Sequence, residues 1–439
     1  MITVKIKCAL YKNLRHVALI MNLKILFTLV GFAACSTAFA GDVAQWGGAD
    51  RTSIYPEKNL LKTWPAKGPK LLWSNDEIGK GYSAGSIVGD KIYVCGTTDD
   101  NKTEFLTVLD RSGKKLWSLD YGASYDKSFQ DARIMPTILG DNLYVISGAG
   151  EIVCVDLNKR QVKWKVDGVK EFGAEAMSWG FAENPLIYEG KIFFTAGGKQ
   201  TTVVALNIED GSVVWKSESL KDGTSYISPI IAEVNGKKQF IGGIRKWAFG
   251  LDPDTGSLLW KYELKKLGGK KGKLEYWQIQ AYTPIFKDNK VFVTSGYDQG
   301  GYLLDISGKE PKEIWSSAEI DNHHGGAILI DGRLYASNWI NNERGNWVCF
   351  DFETGKMIYN EQWKGHSKGS VTSADGMLYV YEEKRGDIAL VNPKSDKFDI
   401  VSSFKVPLGK GRNWCHIVVC DGVMYVRHGS VLMAFDVKK

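Results

Sequence analysis

The chain carries a recurring pattern in which apolar and polar residues alternate on both sides of a short turn containing glycine or aspartate. Clear examples are residues 87–94 (Ile-Val-Gly-Asp-Lys-Ile-Tyr-Val), 138–145 and 328–335. Strict alternation over several residues is typical of half-buried strands, and Gly and Asp between two such runs favour a tight hairpin. The pattern therefore predicts pairs of antiparallel strands at intervals along the whole chain.

A second unit follows these hairpins: an apolar residue, an Asp or Asn, a turn of three to five residues, and an apolar-aromatic strand. The Asp side chain can accept hydrogen bonds from turn amides, and a glycine supplies the positive φ that the turn needs. A tryptophan on the outer strand is large and flat enough to fill the gap between neighbouring sheets. The steps between units run from 41 to 53 residues. The members are Asp110 with Trp117, Asp156 with Trp164, Asn207 with Trp215, Asp252 with Trp260, Asp305 with Trp315, Asp351 with Tyr359, Asn392 with Ile400, and Asp436.

This spacing predicts an all-β fold, an eight-bladed β-propeller of four-stranded antiparallel blades. The eighth unit begins at Asp436, three residues before the chain ends, and so lacks its outer strand. Residues 69–73 (Pro-Lys-Leu-Leu-Trp) match the missing strand. We therefore expect the N-terminal strand near Trp73 to join the C-terminal strands and close the ring, which removes two free sheet edges.

The element Asp-x-x-Thr-Gly-x-x-x-Trp, seen at residues 252–260, resembles the repeat of the PQQ-like β-propeller family. That family contains the pyrroloquinoline-quinone (PQQ) enzymes and non-catalytic relatives such as BamB, the propeller lipoprotein of the outer-membrane assembly machine. The resemblance covers about residues 68–439, and the lead-in over 46–65 resembles that of exported bacterial PQQ-like repeat proteins. It is specific for the fold and uninformative about activity, because the repeat is a blade-packing device.

Residues 1–40 have the features of an export signal. From Met21 a short basic segment leads into an apolar run over 25–34 and then to small residues ending at Ala40. We expect cleavage after Ala40 and a soluble exported protein, with lipid attachment at Cys35 as the alternative. The apolar run is too short to span a bilayer, and the rest of the sequence has no longer one. The predicted organisation is a signal peptide over 1–40, a lead-in arm over 41–67 and the propeller over 68–439.

The net charge of +6 is concentrated in this leader, which carries five basic residues and no acidic one. Without it, 51 basic residues face 50 acidic ones. A nucleic-acid partner held by a basic surface is therefore not expected. We expect a monomer that binds envelope proteins or a small or extended ligand.

The loops that lead into the innermost strands should converge on one mouth of the central channel, where ligands commonly bind in such folds. They are rich in polar and aromatic residues and hold four of the five histidines that follow the leader. The functional interpretation is a ligand pocket. The alternative is that these groups satisfy one another and ordered water. Imidazoles alone set no coordination geometry, so no metal site is predicted. The candidate ligand-binding residues are Tyr82, Arg133, Trp179, Tyr226, Tyr282, His323, His324, His366, Lys368, Trp414 and His416.

Two functions remain open at this point. The resemblance allows a PQQ-dependent alcohol or sugar dehydrogenase that uses PQQ with calcium. The sequence departs from that pattern, because eight blades fill its length, it has no adjacent Cys-Cys pair, and it offers no recognisable Glu, Asn and Asp set for a calcium ion. We therefore expect a non-catalytic binding or scaffold module of the cell envelope, with no catalytic residues and no cofactor.

Overall fold

The computed structural model describes residues 41–267 and 279–439. These residues form an eight-bladed β-propeller, which confirms the predicted fold class. Each blade contains four antiparallel strands, labelled A to D from the central channel outwards. The predicted export segment, with Met21, Cys35 and Ala40, lies outside the described residues.

The strands alternate in direction within every blade, as the turn signals predict. In order A to D they are Ser86–Val88, Lys91–Thr97, Thr103–Asp110 and Lys115–Ala123 in blade 1; Thr137–Leu139, Asn142–Ile146, Glu151–Asp156 and Gln161–Asp167 in blade 2; Leu186–Tyr188, Lys191–Phe194, Val204–Asn207 and Val213–Lys216 in blade 3; Ile230–Val234, Lys237–Gly243, Trp247–Leu251 and Leu258–Glu263 in blade 4; Ile285–Lys287, Lys290–Ser295, Gly300–Asp305 and Lys312–Ser317 in blade 5; Ala327–Ile330, Arg333–Ser337, Trp347–Asp351 and Met357–Glu361 in blade 6; Gly369–Ala374, Met377–Glu382, Asp387–Asn392 and Asp399–Lys405 in blade 7; and Val418–Cys420, Val423–His428, Val431–Asp436 and Lys70–Asn75 in blade 8.

Blade 8 is built from both ends of the chain, as predicted. Its D strand, Lys70–Asn75, pairs antiparallel with Val431–Asp436, and Trp73 lies opposite Ala434. The last blade therefore cannot form unless residues near the N terminus return to it. This pairing closes the ring and leaves no unpaired edge at the junction.

Four of the repeat tryptophans connect their blade to the next one along the chain. Nε1 of Trp73 donates to the backbone oxygen of Arg111 at 2.8 Å, and Nε1 of Trp315 donates to that of Phe352 at 2.8 Å. Each acceptor directly follows the repeat Asp of the next blade's C–D turn. The tryptophan therefore fills the space between two sheets and also satisfies a turn carbonyl of its neighbour. The same bond recurs from Trp164 to Ile208 and from Trp215 to Pro253.

The repeat Asp side chains shape these turns. Oδ1 of Asp110 accepts from the amides of Ser112 and Lys114 at 2.9 and 3.0 Å, and from the Ser112 hydroxyl. The hydrogen bond from the Ser112 hydroxyl is the main reason that the pKa of Asp110 lies below its usual range. Equivalent amide bonds are made by Asp156, Asp252, Asp305, Asp351 and Asp436.

Two repeat tryptophans have other partners. Nε1 of Trp260 donates to Oε1 of Gln239 within its own blade at 2.8 Å. Trp117 lies 5.7 Å beneath the guanidinium of Arg160, which occupies the turn position that glycine holds in other blades, at a φ of 55°. A cation over an indole face replaces the indole–carbonyl bond there.

The lead-in segment crosses the lower end of the channel, opposite the D–A loops. Val43 forms a bridge with Ile87 of blade 1, and Ile54–Tyr55 pairs in parallel with Ser373 and Ala374 of blade 7. Two further elements lie outside the blade scheme, a helix at Gly168–Phe172 and the ribbon formed by Gly197–Gly198 with Asp222–Gly223. In the part of the chain that the structure describes, no helix is long and apolar enough to cross a membrane.

The close approach of turn glycine and indole yields a testable prediction. Gly256 has a φ of 74°, and a Cβ there would lie 2.4 Å from the Trp215 ring. Gly236 of the same blade has a φ of 76°, but a Cβ there would meet nothing within 4 Å. We expect Gly256→Ala to lower the free energy of unfolding by about 2–4 kcal/mol and Gly236→Ala by about 1 kcal/mol, because only the first adds overpacking to backbone strain. Urea unfolding followed by circular dichroism measures both, and equal losses would contradict the proposed contact.

A buried carboxyl links blades 1 and 2. Glu104 is 2% exposed. Its carboxyl group accepts hydrogen bonds from the Tyr121 hydroxyl at 2.6 Å and from the Gly148 amide at 3.0 Å. Burial raises its pKa to about 7. The folded protein therefore holds this proton to a higher pH than the unfolded chain does, and its contribution to stability is lost as the pH rises through about 7.

Glu104→Gln tests this pH dependence. Between about pH 5 and about pH 8 we expect the unfolding free energy of the wild type to fall by about 2–3 kcal/mol relative to Glu104→Gln, since the amide does not titrate. Thermal unfolding across that pH range measures the difference. The exposed Glu189→Gln is the control, and parallel pH profiles for the wild type and Glu104→Gln would contradict the expectation.

Candidate functional site

The D–A loops and the B–C loops meet at the same end of the propeller, because strand A runs away from that end and strand B returns to it. A cavity of about 1290 Å³ extends from there into the channel. Ten of the eleven candidate residues line it. They are Tyr82, Arg133, Trp179, Tyr226, Tyr282, His323, His324, Lys368, Trp414 and His416.

Six aromatic rings at this mouth contact one another in a closed cycle. We call these six rings the aromatic belt. Successive ring centroids lie 4.6–6.2 Å apart. The rings come from loops of blades 8, 2, 3, 5 and 6, in the order in which the blades follow one another, so the belt encircles the channel axis. Its members, in order, are Trp414, Phe129, Trp179, Tyr297, His323 and His324.

Further aromatic residues support the belt from its sides. Tyr226 stacks on Trp179 with centroids 5.9 Å apart and planes inclined by 27°. The Tyr82 ring lies 5.1 Å from Trp414, and the guanidinium of Arg412 lies 5.4 Å from the same indole. These contacts restrict the ring orientations and therefore preorganise the mouth.

A buried ion pair adjoins the belt at blade 7. Nζ of Lys368 lies 2.5 Å from Oε1 of Glu383, and Oε2 of that carboxylate lies 2.9 Å from Nε2 of His324. Lys368 also donates to the backbone oxygens of Asn341 and Asn342. Burial raises the pKa of Glu383, and the ammonium of Lys368 opposes that shift. Both charges therefore already have partners within the protein.

The belt histidines are neutral, because burial lowers the pKa of His323 to about 3 and that of His324 well below its usual value. Nδ1 of His323 and Nδ1 of His324 lie 3.0 Å apart, so one of these two nitrogens donates a hydrogen bond and the other accepts it. Desolvation also lowers the pKa of the neighbouring His416 to about 4, and its Nε2 donates to the backbone oxygen of His324 at 2.9 Å.

Arg133 braces the loop that carries Phe129. Its Nη1 donates to the backbone oxygen of Trp179 and its Nη2 to that of Phe129. Phe129 has a φ of 46° and keeps 41% of its surface exposed. A left-handed backbone is unfavourable for such a residue, and strain of this kind concentrates at binding sites.

The lead-in segment forms part of the cavity's lower wall. Nε1 of Trp46 donates to the Thr283 hydroxyl at 2.8 Å. The Arg51 guanidinium is 4% exposed and donates to the backbone oxygens of Asn184 and Pro185 at 3.0 Å. Burial lowers the pKa of Arg51 to about 10. The segment is therefore attached to the inner blades by specific polar contacts.

His366 lies apart from the other candidate residues. Its ring stacks on Trp363 with centroids 3.9 Å apart, and its Nε2 lies 3.2 Å from Oδ2 of Asp387. It does not contribute to the cavity wall. The turn at Gly365, with a φ of 81°, precedes it and directs the ring to this separate position.

Several cavity residues were not predicted from the sequence. Tyr297 and Glu383 lie in B–C loops, which return to the mouth although the sequence interpretation considered only the D–A loops. Strand alternation alone could have identified them, because every second turn lies at the same end. Phe129 lies in a D–A loop without a motif, and the inward course of Trp46 has no sequence signal.

Two cations at the mouth are not free to bind an anionic cofactor such as PQQ. PQQ is a polycarboxylate and requires cations that are free to bind it, and calcium requires clustered oxygen ligands. Here Lys368 is paired with Glu383, and both Nη atoms of Arg133 are bound to backbone oxygens. Over residues 41–267 and 279–439, no group of three or more His, Cys, Asp or Glu side chains is placed to hold a metal ion.

Comparison with known families identifies a matching family. The profile of the family described as "Outer membrane protein assembly factor BamB" matches residues 102–344, more than half of the chain. A search of curated proteins gives no significant match.

Solved structures with the same architecture include both enzymes and an assembly factor. BamB from Moraxella catarrhalis is 14% identical, with a TM-score of 0.59 over 84% of this chain and 99% of that one. The quinohemoprotein alcohol dehydrogenase from Comamonas testosteroni is 13% identical, with a TM-score of 0.64 over 91% and 81%. A europium-containing methanol dehydrogenase is 13% identical, with a TM-score of 0.65 over 89% and 90%. At these identities the likeness shows the fold alone.

The buried ion pair allows a further prediction. Lys368→Met leaves the Glu383 carboxylate buried without its ammonium partner, and we expect a loss of about 3–5 kcal/mol in the free energy of unfolding. Adding Glu383→Gln should recover at least half of that loss, because the uncompensated charge is removed. Urea unfolding of both variants tests this coupling, and strictly additive losses would contradict it.

Proposed function

The chain belongs to the family of the outer membrane protein assembly factor BamB, and from that premise we propose that it is a non-catalytic binding propeller of the cell envelope. Its task is to hold another molecule at the mouth of the central channel. The observation that carries this proposal is the aromatic belt around a cavity of about 1290 Å³. Such a concave, mostly aromatic wall with a few convergent polar groups is the usual form of a binding site.

The chemistry of the wall favours binding over catalysis. Among the described residues of the mouth, no hydroxyl or thiol is hydrogen-bonded to a histidine ring. His323 and His324 are bonded to each other, and His416 is bonded to a backbone oxygen. Lys368 and Arg133 likewise have partners. Side chains that are bonded in this way maintain the shape of the cavity wall and are not available to transfer protons to a ligand.

An envelope location is part of the proposal. Its support is the leader over residues 1–40, with its basic start, short apolar run and small residues before Gly41. The family's assembly factor is named for a task at the outer membrane. An exported propeller could hold envelope proteins through its blade loops while the channel mouth binds a ligand.

The second candidate is a PQQ-dependent dehydrogenase. It is supported by the architecture shared with two dehydrogenases and by the position of the cavity on the channel axis. Two observations oppose it. Lys368 and Arg133 already have partners within the protein, and the residues described here offer no clustered oxygen ligands for a metal ion. An assay with the cofactor separates the two candidates.

The first test is a titration of the purified protein with PQQ and Ca²⁺, followed by tryptophan fluorescence and by dye reduction with alcohols and glucose. We expect no saturable quenching at micromolar PQQ and no dye reduction, because Lys368 and Arg133 at the mouth are already bound within the protein. Saturation in that range together with turnover would overturn the proposal in favour of the dehydrogenase.

The second test addresses the mouth itself. In a thermal-shift screen of envelope-derived glycans, metabolites and peptides, we expect at least one compound to raise the Tm of the wild type. The same compound should have no effect on the variant that combines Trp179→Ala, His323→Ala and His416→Ala. His366→Ala, which lies outside the cavity, is the matched control and should respond as the wild type does. An unchanged response in the triple variant would remove the mouth as the binding site.

A further inference from the structure

We propose that the aromatic belt binds an uncharged oligosaccharide that enters along the channel axis. This inference rests on the proposed function, because it names the ligand class of the same mouth. It is drawn from three properties of the site: the closed arrangement of its rings, the engagement of its charges, and the hydrogen-bonding state of its histidines.

The geometry of the belt favours a ligand with flat, apolar ring faces. Six rings enclose the channel axis, and the Trp179 ring lies 27° from the planes of both Tyr226 and Tyr297. A pyranose ring presents C–H groups on its faces, which pack on aromatic faces through dispersion and weak hydrogen bonds. A belt around an axis offers such faces to a chain of sugar rings from several sides.

The position of Phe129 gives the clearest indication of a surface shaped to bind a ligand. Its ring lies 5.4 Å from Trp414 and 6.2 Å from Trp179, and so connects the two belt tryptophans. Two hydrogen bonds from Arg133 hold the loop that carries Phe129 in place, although the φ of Phe129 is unfavourable. A large aromatic side chain that is 41% exposed under such strain is explained by a contact with a ligand.

The charges around the belt favour an uncharged ligand. A polyanion would have to displace Glu383 from Lys368, or displace backbone oxygens from Arg133. Either exchange leaves a buried group without its partner, which is costly. Arg412 also lines the cavity, with its guanidinium 5.4 Å from the centre of the Trp414 ring. The buried charges of Lys368 and Arg133 are therefore not free to bind a carboxylate or phosphate.

The histidines favour a ligand that donates hydrogen bonds. Nε2 of His416 donates to the backbone oxygen of His324, so Nδ1 of the same ring carries no proton and is an acceptor. No hydrogen bond to this atom occurs within the part of the chain that the structure describes. Sugar hydroxyls can donate to such an atom and can also accept from water or from Lys384 at the rim. A carboxylate can only accept, so it does not match this wall.

A polypeptide matches the mouth less well than a glycan. An extended peptide brings one carbonyl per residue, and each needs a donor. Two strong donors at the mouth, Lys368 and Arg133, are already bound to the carbonyls of Asn341, Trp179 and Phe129 or to Glu383. The cavity, at about 1290 Å³, exceeds the ~300–1,000 Å³ typical for a compact small molecule, so it suits an extended chain of sugar rings.

The test is a calorimetric titration of the whole purified protein with neutral hexasaccharides: cellohexaose, maltohexaose, chitohexaose (N-acetylated) and laminarihexaose. Hexagalacturonate, a proline-rich peptide and PQQ with Ca²⁺ are the comparison ligands. We expect saturable binding of at least one neutral hexasaccharide at millimolar or lower concentration, weaker binding of its disaccharide, and no saturation by hexagalacturonate in the same range.

Single variants locate the site. Phe129→Ala and Trp414→Ala should each weaken binding at least tenfold, about 1.4 kcal/mol, because each removes one face of the belt. Trp363→Ala is the matched control, since Trp363 stacks on His366 outside the cavity. Circular dichroism and Tm identify any variant that has not folded. If Trp414→Ala fails to fold, Trp414→Phe with a two- to fivefold loss replaces it.

Three results would overturn the inference in distinguishable ways. If hexagalacturonate or the peptide binds more tightly than the neutral sugars, and Phe129→Ala abolishes that binding, the ligand class is replaced and the proposed function stands. If neither Phe129→Ala nor Trp363→Ala changes the binding of a neutral sugar, the belt is not the glycan site. Absence of saturation by every ligand tested would reject both the glycan assignment and the mouth as a binding site.

Discussion

The architecture depends on one recurring contact, that of a D-strand indole with the C–D turn of the following blade. In blade 3 the Trp215 ring lies over Gly256 of blade 4, and its Nε1 donates to the backbone oxygen of Pro253. A flat ring against a residue without a side chain sets the spacing of two sheets. The same bond recurs at Trp73, Trp164 and Trp315, and the spacing at these four junctions contributes to the radius of the ring and therefore to the width of the channel. The aromatic belt lies at one end of the channel that the A strands enclose, and the lead-in segment lies at the other end.

Most of the fold was predictable because its determinants are local. Asp252, Gly256 and Trp260 lie within nine residues, and their turn chemistry does not depend on distant partners. Closure through Trp73 was also predictable, since a strand motif without its hairpin must find a partner elsewhere. The exceptions involve side chains that meet only in the folded state. Arg160 takes the glycine position and covers Trp117, and Trp260 turns to Gln239 of its own blade.

The candidate site was predictable in position and less so in detail. Topology brings the D–A loops to one mouth, and for that reason Trp179, His323 and Trp414 line a single cavity. Topology does not determine side-chain direction, so His366 stacks on Trp363 instead. Glu383 and Phe129 carry no motif, and their roles come from partners in other blades. A family likeness defined by the blade repeat could not supply them, because the repeat stabilises the ring and leaves the mouth free to vary.

The most direct measurement is an indole ¹⁵N–¹H spectrum of the whole protein, with its 15 tryptophans assigned by substitution to Phe, recorded with and without a neutral hexasaccharide. The account predicts that the signals of Trp179 and Trp414 shift on binding. It also predicts that those of Trp164, Trp215 and Trp315, which bond to neighbouring blades, stay in place. Shifts confined to the repeat tryptophans, or no shift at a saturating concentration, would contradict a binding mouth built on an architectural ring.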